Sequence, residues 1–400
     1  MKTILKAFKV RIYPNKSQKE LIDKTLGCSR FIFNQMLAEK IQVYEEFKED
    51  KEKLYNFKYK TEKEYKENFE FLQEVDSMSL QQARIDLSNA YSNFFKSVSG
   101  KRKGLKVGFP KFKKKKGKSS YRTVFTNNNI KVDFGTKKVK LPKLDWLSFR
   151  DKRVSFDGNI KSATVSRSST GKYFVSVLFE QEVESKEKVV LKSKDKILGL
   201  DMSLDKFFVD SNGESPDFEK LFRLSQVKLK KEQRRLAKKK LYSKNWYKSN
   251  FKVNLISEKV ANKRKDFTQK LSTKLVQEYD VIVVENLNLK AMSQCLNLGK
   301  SIMDLGFGEF VRQLKYKAEW FSKTIVEADK WYPSSKLCNV CGYKYKELQL
   351  SERSWTCPSC ETFHNRDENA GKNLKNFGLN ILGLGQPEFK PVESKTPAFS

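Results

Sequence analysis

Apolar and polar residues alternate through residues 2–13, with Phe8, Val10 and Ile12 on one face and Lys9, Arg11 and Tyr13 on the other, which predicts a strand. Pro14 ends it, and Ser17 with Glu20 forms a capping-box pattern for a helix running through Leu37 and beyond. Residues 45–76 mix both charge signs with Tyr and Phe and read as solvated helix. After Ser79, the residues Leu80, Ala83, Leu87, Tyr91, Phe94 and Val98 recur at helical spacing, so this segment predicts a core-facing helix whose aromatics serve packing. From Tyr121 onward the texture changes to strands and turns. Residues 160–167 and 173–180 predict a hairpin that turns at Ser168 to Gly171. With the first strand, this region is expected to form a small β-barrel over 1–14 and 119–182, interrupted by a helical insert over 15–118. A Glu/Ser/Lys-rich linker over 183–195 follows.

The C-terminal half has a different rhythm. Residues 197–204 read ILGLDMSL, a short apolar run with one acid, Asp201. Residues 281–289 read VIVVENLNL, an apolar run ending in Glu285. Residues 364–371 read HNRDENAG, with Asp367 opening a helix. A short strand at 207–209, basic helices over 219–278, a helix at 307–322 and a strand at 324–328 lie between these stretches. The order predicts an α/β layer of the ribonuclease H type over 196–382, then a disordered tail over 383–400 containing Pro387, Pro391 and Pro397. A carboxylate at the end of a buried strand is costly unless something pairs with it. Two strand ends and one helix that each bring an acid suit a pair of Mg²⁺ ions, which clamp the attacking and leaving oxygens of a phosphodiester. Each acid alone would be read as a strand-end or helix-cap carboxylate.

Charge narrows the partners. Lys and Arg number 81 against 48 Asp and Glu, a net charge of +33, which predicts a polyanion and most simply nucleic acid. Residues 101–118 hold ten basic residues and no acid, with Phe109, Pro110 and Phe112 among them; residues 223–240 hold nine basic residues and one acid, Glu232. Both are expected to follow a phosphate backbone. No run approaches the length of a membrane span, and the N-terminus lacks a signal h-region.

Four of the six cysteines are clustered: Cys338 and Cys341, then Cys357 and Cys360, each pair two residues apart with 15 residues between the pairs. That is zinc-ribbon spacing, here over 335–363, and four thiolates leave no open position, so the zinc is expected to be structural. Cys28 and Cys295 read as small buried residues. His364 is the only histidine, and a packing or turn role is expected for it. Imidazole general-base chemistry therefore has one candidate, which favours metal-driven chemistry.

The segments KVRIYPNKSQ, CSRFIFN, QQARIDLSNAYSNFF, GFPKFKKK, GLDMSL, VVENLNL, SSKLCNVCG, CPSC and HNRDENAGKNL, in this order, resemble the TnpB family of transposon-encoded RNA-guided nucleases, relatives of the type V CRISPR effectors. The resemblance runs nearly end to end. It implies a RuvC-like nuclease domain with catalytic, Mg²⁺-binding acids at Asp201, Glu285 and Asp367, a zinc finger at Cys338, Cys341, Cys357 and Cys360, and a β-barrel wedge domain split by a helical recognition insert. It further implies a guide RNA from the transposon end, a double-stranded DNA target cut beside a short adjacent motif, a companion transposase encoded by the same element, and a cytoplasmic, nucleoid-associated bacterial setting. Two positions depart from the family pattern: Ser203, where Gly is usual, and Asn365, where Asp often stands. A nuclease-inactive RNA-guided repressor and a strand-joining transposase are the rival readings, and the intact acids speak against the first.

Overall fold

The computed structural model describes residues 2–102, 104–115, 119–153, 155–183, 196–295, 299–349 and 351–383. The chain forms two compact units, Met1–Ser185 and Lys186–Ser400. Beyond their first residues, the expected linker and the expected tail lie outside the described residues, as do Lys116 to Lys118 of the first basic run.

The first unit runs β1 (Lys2–Tyr13), α1 (Lys16–Phe47), α2 (Lys51–Asn56), α3 (Glu62–Asn68), α4 (Ser77–Val98), β2 (Ser119–Val124), β3 (Lys131–Asp133), β4 (Lys138–Leu141), β5 (Asp145–Phe149), β6 (Asn159–Arg167) and β7 (Tyr173–Val183). The strands make one seven-stranded antiparallel sheet in the order β2-β6-β7-β1-β5-β4-β3. The alternation in β1 explains its place: Phe8, Val10 and Ile12 are buried in a core shared with Val139 and Leu147 on one side and with Val165 and Val177 on the other. The β6–β7 hairpin forms where the sequence predicts it, with Gly171 at φ +76° in its turn.

Three expectations for the helices need correction. The capping box of α1 is Asn15 with Gln18, not Ser17 with Glu20: Asn15 Oδ1 accepts from Gln18 N at 2.9 Å and Gln18 Oε1 accepts from Asn15 N at 3.0 Å. After Pro14 the helix starts two positions earlier than the Ser17 pattern needs, and Ser17 instead donates its hydroxyl to Asn15 Oδ1 at 2.9 Å. Residues 45–76 are not one solvated helix. They break into the end of α1, two short helices and a 3-10 turn, and they bury Tyr65, Leu72 and Val75 against α1 and α4. Dense surface charge hid these three anchors. Finally, α4 begins at Ser77 under an Asp76 cap, and its apolar stripe outlasts the core: Leu80, Ala83 and Leu87 are buried, whereas Val98 is exposed.

The second unit runs β8 (Ile197–Ser203), β9 (Phe207–Asp210), α5 (Leu221–Ala237), α6 (Lys244–Glu278), β10 (Val281–Glu285), α7 (Leu289–Cys295), α8 (Gly299–Leu305), α9 (Phe307–Trp320), β11 (Thr324–Ala328), β12 (Ser354–Thr356), β13 (Phe363–Asn365) and α10 (Arg366–Ile381). Its main sheet has the order β11-β10-β8-β9, with β8, β10 and β11 parallel and β9 antiparallel to β8. Strands buried on both faces read as unbroken apolar runs, which is what Ile197–Leu200 and Val281–Val284 show. On one face, Leu275, Phe307, Phe310 and Leu314 pack against Leu198, Leu200, Ile282 and Val284. On the other, Leu374 of α10 packs against Ile197, Val281 and Val283.

Helix α10 reaches the sheet through two glycines. A Cβ on Gly199 would stand 2.1 Å from Gly371 O and 2.6 Å from Lys375 N. A Cβ on Gly371 would stand 2.8 Å from the backbone of Asp210. Neither clash can be relieved by moving a flexible side chain. Gly199→Ala is therefore expected to destabilise the second unit by about 3 kcal/mol or more, at the upper end of overpacking costs. Gly27→Ala, mid-helix in α1 with nothing within 4 Å of the new methyl, is expected to stabilise the protein by about 0.5–1 kcal/mol. Thermal unfolding of the two variants checks both signs.

Candidate active site, cysteine cluster and basic surface

Asp201 and Glu285 stand at the carboxyl ends of neighbouring parallel strands. The register pairs Leu200 with Val284, so the two acids are the next residues in line. Both strands are fully buried up to that point, and the acids are the first positions to open toward solvent. Asp367 lies in the first turn of α10, whose N-cap Asn365 accepts from the amides of Asp367 at 3.2 Å and Glu368 at 3.3 Å. Asn caps a helix as well as Asp does, so the Asn365 departure is conservative in structure. Ser203 Oγ accepts from Asp205 N and Lys206 N, both at 3.4 Å, in the turn after β8.

The electrostatics of Asp201 are unusual. Burial pushes its carboxyl well above the usual carboxylate range, and the charges of Glu285 and Asp367 push it further, against a smaller pull from Arg366 and Arg353. Burial also raises Glu285, countered by a hydrogen bond from Ser334 Oγ at 2.6 Å. Asp367 has an exposed partner, Arg353 Nη1 at 3.7 Å. Among the described residues, none gives the Asp201 carboxylate a hydrogen bond or an ion pair, although its backbone pairs with Val209 in the sheet. Two other buried acids of this unit have backbone amides as partners. Asp210 Oδ1 accepts from Asn212 N and Glu214 N, both at 2.9 Å, and Asp304 takes the amides of Phe222 at 2.8 Å and Arg223 at 3.3 Å as a cap for α5. Those two are structural carboxylates; Asp201 is not held in that way. The three acids crowd less than the cysteines, which alone among the described residues bring such ligand atoms all within 4.8 Å of one another.

Cys338, Cys341, Cys357 and Cys360 form that tight cluster. Two matching turns build it, with Gly342 N donating to Cys338 O at 3.0 Å and Glu361 N donating to Cys357 O at 2.9 Å. The Cys338–Cys360 and Cys341–Cys357 sulfurs are 3.6 Å apart, too far for disulfides and close to the roughly 3.8 Å edge of a tetrahedral zinc–thiolate site. The thiols differ: a bond with the Thr362 hydroxyl draws Cys360 down to about 6, whereas burial pushes Cys338 up to about 12. The donor set fits one structural zinc. His364 packs on the Trp355 ring, as a packing role implies, but it also sets its Nε2 3.1 Å from Cys338 Sγ. A histidine that hydrogen-bonds a ligand thiolate belongs to the shell that orients the site, and spacing alone did not reveal it. Of the two remaining cysteines, Cys28 is buried as expected, and the side chain of Cys295 lies outside the described residues.

The first basic run is ordered in part. Asn34 brackets the Lys113 backbone, donating to its carbonyl at 3.0 Å and accepting from its amide at 2.8 Å. Lys113 Nζ sits 3.9 Å from the Phe33 ring centre and 3.8 Å from Asp86, while Lys106, Lys111, Lys114 and Lys115 are exposed. Beside this run is a polar cavity of about 270 Å³ lined by residues that include Arg30, Gln82, Lys114 and Arg122. A larger cleft of about 770 Å³ is lined by Tyr44, Tyr59, Tyr91, Phe94, Phe95 and Phe109 among others. The α4 aromatics pack as expected only up to Phe94; Phe95 is exposed. In the second unit, α5 buries only Leu221, so its basic residues line a largely exposed helix. No described helix is long and apolar enough to cross a membrane.

A protein of Streptomyces pristinaespiralis named "Putative RNA-guided DNA endonuclease" is 32% identical to this chain over 390 residues, spanning 96% of this chain and 92% of its own length. The chain belongs to the TnpB family. A second member, from Escherichia coli (strain K12) and bearing the same name with the suffix InsQ, is 29% identical over 403 residues, or 96% of this chain and 94% of its own. Residues 178–296 match the family described as "Probable transposase", residues 307–374 match "Cas12f1-like, TNB domain", and residues 1–49 match "Helix-turn-helix domain". In the fold, that last stretch is one strand followed by one long helix. The protein in the cryo-EM structure of a Cas12f1-sgRNA-target DNA complex shares the fold, with a TM-score of 0.54 at 14% identity over 93% of this chain and 99% of that one.

Protein purified without chelator is expected to carry about one zinc per chain, and Cys357→Ser is expected to lose it and lower the unfolding temperature of the second unit. Elemental analysis and calorimetry read the two effects. Zinc-free wild-type protein with an intact fold would contradict the assignment.

Proposed function

We propose that this chain is an RNA-guided DNA endonuclease that hydrolyses phosphodiester bonds of guide-matched DNA beside a short adjacent motif. The observation that carries the reading is Asp201: a desolvated carboxylate with no protein partner, repelled by two further carboxylates, on a chain of net charge +33. Such a carboxylate is stabilised by a bound cation, and hard oxygen donors favour Mg²⁺. Three acids brought by two strand ends and one helix suit two ions that share ligands. When bound, a Mg²⁺ pair supplies the Lewis acidity that activates water and stabilises the leaving 3′ oxygen. Asp201 lies between the other two acids in charge terms and would contribute to both ions, Glu285 to one and Asp367 to the other.

In this reading 196–382 is a RuvC-like domain carrying the zinc ribbon 335–363. Residues 1–14 and 119–182 form a barrel-like wedge domain, supported by a core shared along the row of strands, and 15–118 form a recognition insert. The polyanion is a guide RNA paired with one strand of a double-stranded DNA target. The names of the relatives and the nucleic acids in the Cas12f1 complex support these partners. Pairing supplies specificity, and the protein reads backbone shape and the short motif. A nuclease-inactive repressor would have the same binding surface and no use for Asp201, Glu285 and Asp367 together.

Asp201→Ala, Glu285→Ala and Asp367→Ala are each expected to reduce Mg²⁺-dependent cutting of guide-matched DNA to background while leaving guide-directed binding intact. Asp205→Ala is the control, since Asp205 is exposed and paired with Lys220 at 2.8 Å. A wild-type protein that binds matched DNA and never cuts it in Mg²⁺ or Mn²⁺ would favour the repressor. Separately, replacing Lys106, Lys111, Lys114 and Lys115 with Gln should weaken nucleic-acid binding and flatten its log–log salt dependence by up to about 0.9 per lost duplex phosphate contact. An unchanged slope would mark the run as a merely solvated surface.

A further inference from the structure

Ser334 lies in the turn between β11 and the first cysteine pair and is 6% exposed. Its hydroxyl donates to Glu285 Oε1 at 2.6 Å. Its carbonyl accepts from Asn373 Nδ2 at 2.7 Å, and the same nitrogen reaches Leu337 O at 2.6 Å. Asn369 donates to Leu337 O at 2.7 Å and accepts from Asn339 N at 3.1 Å. Asn369 and Asn373 are four residues apart on α10, hence on one face, and both are buried. Leu337 and Asn339 flank Cys338. The helix that carries Asp367 thus grips the first cysteine turn by two asparagines, and the gripped turn presents the Ser334 hydroxyl to Glu285.

We infer that Ser334 is a positioning residue for Glu285, and that the cysteine ribbon, through Leu337 and Ser334, is part of the frame that aims this carboxylate. The inference rests on the reading of the three acids as divalent-metal ligands. Glutamate has several rotatable bonds, and here it ends a strand beside a like charge. A charge-assisted O–H···O⁻ bond of this length fixes one carboxylate oxygen and leaves the other directed by the turn. Asn373 sets the turn from behind, because its amide holds both the Ser334 and the Leu337 carbonyls. A serine serving only the turn would not need its hydroxyl on this acid, and Glu285 Oε1 is the partner that the hydroxyl takes.

The test measures Mn²⁺ binding to the purified, zinc-loaded full chain, by the loss of the free-ion EPR signal, alongside unfolding temperature and cleavage. Ser334→Ala should weaken Mn²⁺ binding about tenfold or more, the usual cost of losing a residue that orients a ligand, with zinc content and matched-DNA binding unchanged. Ser334→Thr, which keeps the hydroxyl, should restore affinity. Asn373→Ala, which touches no acid, should also weaken Mn²⁺ binding. Unchanged Mn²⁺ affinity in either alanine variant, with Glu285→Ala showing a loss, overturns the inference and leaves the proposed function standing. A wild-type chain that binds no Mn²⁺, or a Glu285→Ala chain that binds it normally, overturns both.

Discussion

Helix α10 lies on strand β8 with no side chain between their backbones at Gly199 and Gly371. That contact is the constraint on which the rest of the second unit depends. It sets the depth of α10 against the sheet, and so the distance at which Asp367, at the start of that helix, faces the ends of β8 and β10. It also places Asn369 and Asn373 where they can hold the cysteine turn. A glycine inside a strand ordinarily weakens it. Here the loss is offset by the burial of Leu374 against Ile197, Val281 and Val283.

The second constraint is electrostatic, and it separates acids that look alike in sequence. Asp210 and Asp304 expose less surface than Asp201, and each collects backbone amides, although burial still raises the Asp210 carboxyl. The Asp201 carboxylate collects none, and the charges of Glu285 and Asp367 outweigh those of Arg366 and Arg353 on it. Perturbed carboxylates of this kind cluster at functional sites. The contrast within one unit weighs more than the burial of any single acid.

Much of this was visible in the chain. The apolar runs ending at Asp201 and Glu285 mark strands buried on both faces, because only such strands dispense with alternation. The paired cysteine spacing marks the cluster, and the hairpin of β6 and β7 follows from alternation around a glycine turn. What stayed hidden has a common cause. Ser334, Asn369, Asn373 and His364 act through single hydrogen bonds across the fold, and a lone polar residue in a turn or on a helix has no period to betray it. Tyr65, Leu72 and Val75 were masked by the charges around them. Gly199 was legible in principle, since a glycine in an apolar run signals close backbone approach, but its partner Gly371 lies far along the chain.

The same glycine contact bears on the order of events during synthesis. Strand β8 is made early in the second unit, and the face that α10 will cover stays open until nearly all of that unit has left the ribosome. Closing it requires contacts of long sequence separation, which are slow to form. A nascent chain already displays its basic surfaces while its third acid is still unmade. On the proposed reading, a chain interrupted before α10 keeps its basic surfaces and lacks the third carboxylate, so that binding and cutting would be separated in time by the synthesis of one helix.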